Sequence, residues 1–434
     1  MRIRWFALLV LVLGLSKDTP ALLQLADTSE RAADTSELLK TADDLVQTVS
    51  KLRGLEPKSP ILRGIKNRAE ISQYLNERIQ ELYSEEELQA EGKMLRRLGL
   101  IPASIDYREF VLKLLTEQIG GYYDPDKKML FIASWLSLEE QKPVMVHELT
   151  HALQDQYFDV NTILKEDQKL RNDDRALAHQ AVLEGDGMVV MLQYLLEPAK
   201  RHFSQLPDLA FIMQAQMASM QTQYTVFRDA PPYLQESLLF PYGYGAAFLQ
   251  KAWAKDPSWQ GVNKIYSDLP VSTEQIMHPE KYLAARDNPV TVTEENFAVK
   301  LGKSWKVTYR NILGEFSLGL MLNLHLTEER SRRSAAGWGG DQVLLFESSE
   351  GKDAVLVSTV WDTADDAEKF YLAMQDWFQK GYPKAIKTDE PPGGFSLIQD
   401  GEFHSICRDG TRVRFLVGLP ETGSPGSAKL WGTS

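Results

Sequence analysis

The sequence predicts an α+β protein in which a mainly helical domain with a short edge-strand sheet precedes a small C-terminal α+β domain. The 434 residues are too many for one compact hydrophobic core, which favours at least two domains. Before residue 330, apolar residues recur at steps of three and four, as in amphipathic helices. After residue 335, short apolar runs flank one amphipathic stretch, which is typical of strands that pack on a helix.

The first 16 residues have the pattern of a signal peptide. Arg2 and Arg4 give a positive start, and an apolar run of 11 residues from Trp5 to Leu15 follows, ending at a small-x-small site. This run is too short to span a bilayer comfortably. We therefore expect an exported protein, periplasmic or extracellular, without stable membrane insertion after cleavage. An uncleaved segment that anchors the chain is the alternative.

Residues 17–98 are predicted to form an N-terminal helical region. Leucines at helical spacing cover 22–54, and residues 67–98 are again helical. The segment GLEPKSP at 54–60 separates them, because glycine and proline interrupt a helix.

The central region, residues 99–330, is predicted to combine helices with one hairpin. A turn at 120–128 and the strand MLFIAS at 129–134 form this hairpin. Ser137, followed by an acidic pair, caps the helix after it. PYGYG, at 241–245, is predicted to be a flexible glycine-rich loop. The predicted helices cover 107–119, 138 to about 157, 174–197, 205–226 and a stretch near 309–328.

Residues 335–420 are predicted to form the small α+β domain. QVLLFES and DAVLVSTVW are paired strands around a turn, and residues 364–379 form an amphipathic helix. FHSICRD and RVRFLVGL are two further strands. The last residues, 421–434, are rich in Pro, Gly and Ser and are expected to be a flexible tail.

Charge and cysteine content limit the partners. The net charge of -12 argues against nucleic acid, because phosphate binding needs a basic face. Cys407 is the single cysteine, so no disulfide can form within the chain. The composition is otherwise that of a soluble globular protein, with 43% hydrophobic and 25% charged residues.

The stretch VMVHELTHALQDQ contains a candidate metal site. His147 and His151 are four residues apart, so a helix places both imidazoles on one face. Glu148 lies beside that face. Two imidazoles suit zinc, and a nearby carboxylate suits a water molecule on that zinc. Uncharged neighbours predict that the helix is buried around this face.

A third ligand is needed, and Glu184 in AVLEGDGMVV is the main candidate. It lies 33 positions after His151 on a predicted helix with apolar neighbours, and a buried carboxylate needs a cation. The glycines beside it let another backbone approach closely. Asp186, His179 and Glu166 are rival ligands.

Together these residues resemble the HExxH zinc metallopeptidases of the gluzincin type, which have a thermolysin-like arrangement. The order of GGYYDP, HELTHALQDQ, LEGD, PYGYG, STEQIMHPEKY and GWGGD also resembles a group of exported bacterial zincin-like proteins over about residues 100–380. The resemblance implies a zincin-like metallopeptidase domain at 99–330. It implies Zn²⁺ held by His147, His151 and Glu184, with Glu148 as general base. It further implies that the strand MLFIAS is the edge that pairs with an extended substrate, with Ala133 and Ser134 near the metal.

An oxyanion donor and a residue that orients the ligands remain to be assigned. The resemblance implies that a tyrosine and a histidine act here, and Tyr242, Tyr244 and His278 are the candidates. Asp155, four residues after His151, is a candidate for orienting a ligand histidine.

The sequence thus leads to an exported zinc metallopeptidase that hydrolyses a peptide or protein substrate. The alternative is a catalytically inactive zincin-fold protein that binds or assembles partners in the cell envelope. The two differ at Glu148, which only hydrolysis requires. A helical scaffold with an accidental motif would bind no metal. A further hypothesis is that the helices of residues 22–98 are a pro-segment that covers the cleft.

Overall fold

The structure is a computed structural model that describes residues 34–209, 211–212, 220–294, 297–388, 391, 393–422 and 427–431. The predicted signal peptide lies outside the described residues, as do parts of the predicted helix 205–226 and of the tail. Within the ranges given, no helix combines the length and the apolar character that crossing a membrane requires.

The N-terminal region is helical, as predicted, but the stretch 67–98 forms two helices rather than one. Ser84 caps the start of the second helix. Its side chain accepts a hydrogen bond from the backbone N–H of Glu87, and the Glu87 side chain accepts one from the backbone N–H of Ser84. The helices are α1 (Thr35–Arg53), α2 (Arg68–Leu82), α3 (Glu85–Arg97) and α4 (Tyr107–Gln118).

Helix α1 is part of the hydrophobic core. Its buried residues Leu38, Ala42, Leu45 and Val49 recur on one face and pack with the helices that carry the candidate metal site. Removing α1 would expose the apolar surface of the helices that it packs against. Helix α1 is therefore an integral part of this domain.

A three-stranded sheet lies beside the candidate site, in the order β1-β3-β2. Its strands are β1 (Leu62–Lys66), β2 (Gly121–Asp124) and β3 (Met129–Ala133). β2 and β3 form the predicted hairpin, and β1 pairs with β3 in parallel.

The prediction that MLFIAS is the edge strand is wrong. β3 lies in the centre of the sheet and is paired on both sides, so it cannot accept an extended substrate. The cause is β1, whose sequence LRGIK contains two cations and a glycine and does not look like a strand. β1 and β2 lie at the two edges instead.

The candidate site is built on two of the three helices that follow. They are α5 (Leu138–Phe158), α6 (Val160–Leu170) and α7 (Asp173–Leu196). The predicted cap of α5 is confirmed, because Ser137 and Glu140 form a reciprocal capping box. Helix α6 was not predicted.

The prediction of a loop at PYGYG is wrong, because these residues lie inside a 24-residue helix, α9 (Pro232–Lys255). The glycines of this segment allow the helix to pack closely against a neighbouring helix, and they do not make the segment a flexible loop. A Cβ atom on Gly245 would overlap the carbonyl oxygen of Ala181, and one on Gly185 would overlap the backbone of Gly245. Small residues therefore let α9 and α7 approach closely.

The remaining helices are mostly short. Two 3₁₀ turns, Glu197–Ala199 and Phe203–Gln205, follow α7. The helices are α8 (Thr225–Arg228), α9 (Pro232–Lys255), α10 (Trp259–Ser267), α11 (Thr273–Met277), α12 (Glu280–Leu283), α13 (Phe297–Leu301), α14 (Gly314–Asn323), α15 (Glu328–Ala335), α16 (Ala364–Gly381) and α17 (Ser427–Trp431).

The C-terminal α+β region is confirmed, with a seven-stranded sheet in the order β4-β5-β6-β10-β9-β8-β7 whose adjacent strands are antiparallel. β4 comes from residues predicted to lie before this domain, and the helix predicted near 309–328 begins only at Gly314. The strands are β4 (Trp305–Asn311), β5 (Trp338–Ser348), β6 (Asp353–Trp361), β7 (Ile386–Lys387), β8 (Gly394–Gln399), β9 (Glu402–Asp409) and β10 (Arg412–Pro420).

Two large cores hold these parts together. One contains the inner faces of α1, α5, α7 and α9. The other joins α2, α3 and α4 to one face of the C-terminal sheet and to α16. Ion pairs of Lys93 with Glu347 and of Arg97 with Asp353 border this second core. The N-terminal helices therefore pack against both the candidate site and the C-terminal region.

Candidate metal centre

Three side chains from α5 and α7 converge. The Nε2 atoms of His147 and His151 are 2.9 Å apart, and Glu184 Oε2 lies 3.0 Å from the first and 3.3 Å from the second. Ligand atoms about 2.0–2.1 Å from a tetrahedral zinc ion lie about 3.3 Å from one another. The three atoms therefore have nearly the spacing of ligands around one ion.

The rival third ligands point elsewhere. Asp186 accepts hydrogen bonds from Arg53 Nε at 2.7 Å and from the Tyr266 hydroxyl at 2.6 Å. His179 pairs with Asp167, 2.7 Å away. Glu166 is exposed on α6. Of the four candidates, only Glu184 reaches the two histidines.

The electrostatics of the cluster favour a cation. Burial alone would raise the pKa of Glu184, but the charge of His151 and hydrogen bonds from both histidines lower this pKa to about 2. Burial opposes protonation of His151, yet Glu184 raises its pKa to about 9. Burial and the neighbouring His151 lower the pKa of His147. The ligand atoms of these three side chains thus surround a position at which a positive charge is stabilised.

Gln154 orients the second histidine. Its Oε1 lies 2.8 Å from His151 Nδ1, and its Nε2 donates to the carbonyl of Leu183 on α7 at 3.0 Å. This contact fixes the ring of His151, so that Nε2 faces the cluster. Asp155 does not take this role, because it accepts from the Tyr123 hydroxyl and from Lys128. A glutamine three residues after His151 was the available signal, and it was missed.

Gly187 makes room for His147. A Cβ atom on this residue would lie 2.6 Å from Cε1 of the His147 ring. The two glycines of the LEGDG segment thus have different neighbours, since Gly185 faces α9 and Gly187 faces the imidazole. The expectation that glycines beside Glu184 allow a close backbone approach is confirmed at Gly185.

Glu148 lies next to the cluster and is fully buried. Its Oε2 accepts from the backbone N–H of Tyr123 in β2 at 2.8 Å, and its Oε1 has no hydrogen-bond partner among the residues described. Burial raises its pKa to about 8, and Glu184 adds to this while His151 opposes it. The carboxyl group can therefore hold a proton at neutral pH.

The three candidates for the oxyanion donor lie in different places. The ring of Tyr242 on α9 is buried, with its centroid 6.1 Å from that of His147. Tyr244 points away and stacks on Phe240. His278 Nε2 lies 2.8 Å from Glu315 and outside the metal cluster. Only Tyr242 is therefore brought next to the histidines.

Comparisons with known families point to the same region. Residues 109–206 match the family model of the IrrE N-terminal-like domain, Peptidase M78. This match includes the hairpin, α5, α6 and α7, and so contains the whole cluster. It supports a zincin-like metallopeptidase-type domain.

The C-terminal sheet matches a second family. Residues 306–425 match a domain of unknown function, DUF8575. Comparison with curated proteins and with solved structures returns no match. The family matches thus cover the metal centre and the C-terminal sheet separately.

Access to the cluster is narrow. Of its members, His151 is 4% exposed and Glu184 2%. They line a cavity of about 40 Å³ under α6, which shares Tyr123, Pro125 and Leu164 with a neighbouring cavity of about 230 Å³. Val160 and Leu164 of α6 therefore form part of the wall of the cavity beside the metal ligands.

A second acidic cluster does not need a metal. Glu274, Asp287 and Asp362 could hold an ion by their spacing. However, Lys281 Nζ lies 2.6, 3.0 and 2.7 Å from their oxygens, respectively. The ammonium group already lies between these oxygens, where an ion would bind.

Proposed function

We propose that this chain is an exported zinc-dependent peptidase of the gluzincin type that hydrolyses a peptide or protein substrate. The observation that carries the proposal is the convergence of His147, His151 and Glu184 from two helices, with Glu148 buried beside them. The match of residues 109–206 to a peptidase-type family supports it.

Each residue of the centre has a distinct task in this proposal. The two histidines and Glu184 hold zinc, which supplies a Lewis acid and lowers the pKa of a water molecule to about 7. Glu148 would accept a proton from that water molecule and pass it to the leaving nitrogen, because its Oε1 lies beside the cluster without a hydrogen-bond partner among the residues described. Gln154 keeps His151 in place.

The edge strand for the substrate is β2 in this proposal. β2 lies at the side of the sheet that faces Glu148, as the hydrogen bond from Tyr123 shows. An extended peptide next to β2 would pass the metal ligands once α6 moves aside. Tyr242 is the candidate for the oxyanion donor, because its ring lies beside that of His147.

The proposed location rests on the N-terminal residues. The positive start and the apolar run up to Leu15 support export to the periplasm or the outside of the cell. The resemblance to exported bacterial proteins supports the same location.

A second candidate function is a zincin-fold protein of the cell envelope that binds partners without hydrolysis. The observation in its favour is that all three metal ligands are almost completely buried. In that case the metal would stabilise the fold, and Glu148 would not be needed for function.

Metal content and hydrolysis, measured on the same variants, test the proposal. We expect about one zinc per chain by elemental analysis in the wild type and in Glu148→Gln, and far less in Glu184→Ala. Glu166→Ala is the matched control, since this exposed carboxylate on α6 lies outside the cluster.

Hydrolysis of a quenched fluorogenic peptide library then separates the two functions. A peptidase loses activity in Glu148→Gln while it keeps zinc. Wild-type protein with full zinc and no cleavage of any library member would support the binding protein. A wild type that takes up no zinc would refute both.

A further inference from the structure

A cavity with an apolar floor and an acidic lining lies away from the metal centre. It has a volume of about 270 Å³ and is formed by α9, α11, α14 and α15. Phe316, Leu320, Met277 and Ala335 give it apolar surface, and the ring of Tyr244 lines it as well. Such a mixture of apolar walls and a few polar groups is typical of small-molecule sites.

The charged groups of this cavity are unbalanced. Glu236, Glu315 and Glu328 contribute carboxylates, and Arg332 is the one cation in the lining. Among the residues described, Glu236, Glu328 and Arg332 form no ion pair with another side chain. The lining therefore contains more carboxyl groups than basic groups, since Arg332 and the contact of His278 with Glu315 oppose three carboxyl groups.

Glu315 carries a buried oxygen without a partner. The residue is 0% exposed, and its Oε1 is engaged by His278 at 2.8 Å. Its Oε2 is buried and has no hydrogen-bond partner in the described part of the chain. Lys281 is near, but its ammonium group is held by three other carboxylates. A buried carboxylate oxygen without a donor is unfavourable unless a ligand supplies one.

The environment of these carboxyl groups is consistent with a missing cation. Burial raises the pKa of Glu236, and that of Glu315 is raised by burial despite the contact with His278. Aromatic rings, here Tyr244 and Phe316, add attraction for a cation at their faces.

We propose that this cavity binds a primary organic ammonium ion, whose apolar body packs on Phe316 and Leu320 and whose ammonium group donates a hydrogen bond to Glu315 Oε2. The site is separate from the metal centre and does not depend on the proposed peptidase activity. A free amine and a lysine side chain of a peptide share this chemistry.

Isothermal titration calorimetry with phenethylamine tests the proposal, and 2-phenylethanol is the neutral ligand of matched size. We expect wild-type protein to bind the amine and not the alcohol. Glu315→Gln keeps the shape and removes the charge, and should weaken amine binding by about tenfold or more. Glu329→Gln is the control, because this carboxylate on α15 is exposed and pairs with Arg333.

A blocked tripeptide with a central lysine distinguishes the two sources. Binding of this peptide without binding of phenethylamine would support the site and assign it to a lysine side chain. If Glu315→Gln does not fold, Glu236→Gln replaces it, with a smaller but measurable expected loss, because it removes one carboxylate charge from the lining. The proposal is overturned if the wild type binds neither amine at millimolar concentration. It is also overturned if the alcohol binds as well as the amine, or if the carboxylate variant that folds binds like the wild type.

Discussion

The substitution Gly187→Ala tests the geometry of the metal centre most directly. The added Cβ would lie 2.6, 2.7 and 2.9 Å from three atoms of the His147 ring, whereas ordinary contacts begin at 3.4 Å. The ring must therefore move by roughly 3.4 − 2.6 = 0.8 Å. Metal–ligand distances in proteins vary by only about 0.2 Å, so His147 would leave its position as a ligand.

Two effects of this substitution have opposite signs. Replacing a helical glycine by alanine stabilises a helix by up to about 1 kcal/mol. Overpacking a buried site costs about 1–3 kcal/mol. We expect a net loss of about 1 kcal/mol in the metal-free protein and a decrease in zinc affinity of about a hundredfold. Urea unfolding and competition with a chromogenic zinc chelator measure the two quantities.

Gly319→Ala is the matched control, because its Cβ would meet only the Cβ of Ala335 at an ordinary distance of 3.6 Å. We expect this control to keep zinc affinity and to gain up to about 1 kcal/mol. If Gly187→Ala behaves like Gly319→Ala in both assays, His147 does not lie where the structure places it.

Three further substitutions address orientation, packing and pH. Gln154→Leu should lower zinc affinity about tenfold to a hundredfold in the chelator assay, because the His151 ring loses its partner; an unchanged affinity would contradict this role. Arg53→Met leaves Asp186 buried without its cation and should cost about 3–5 kcal/mol in urea unfolding, part of which Asp186→Asn should restore in the double variant. Burial raises the pKa of Asp174 to about 7, above its unfolded value of about 3.9, so its contribution to stability is complete below pH ~4 and is lost as the pH rises through about 7. Asp174→Asn should therefore flatten the decrease in unfolding free energy between about pH 4 and about pH 7, and an unchanged slope would show that Asp174 does not titrate there.

The local parts of the site could be predicted from the sequence. Ser137 and Glu140 fix the start of α5, and the four-residue step of His147 and His151 then puts both rings on one face. Glu184 lies in a long apolar stretch that could only be a buried helix. These features depend on periodicity and capping within single elements, and short sequence windows contain that information.

The parts that depend on tertiary contacts could not be predicted. β1 has a polar sequence and becomes a strand because β3 pairs with it. The glycines of PYGYG indicated a loop, although Gly245 serves the close contact of α9 with α7. His278 was a candidate oxyanion donor because the resemblance implies a histidine in that role, whereas Glu315, 37 residues later, is its partner.

Helix α6 shows why the metal centre could be predicted while access to it could not. Its sequence is largely polar, and two of its residues, Val160 and Asp167, are buried, so nothing in the pattern indicates that it lies beside the metal ligands. It is held by single contacts to distant segments, such as those of Lys165 and Asn161 with Asp126 and of Gln168 with the carbonyl of Leu82. Exposed contacts of this kind contribute only about 0.2–1 kcal/mol each. Moving α6 would also break the buried contact between Asp167 and His179 of α7, so the position of this helix depends on contacts between distant parts of the chain, which short sequence windows do not show.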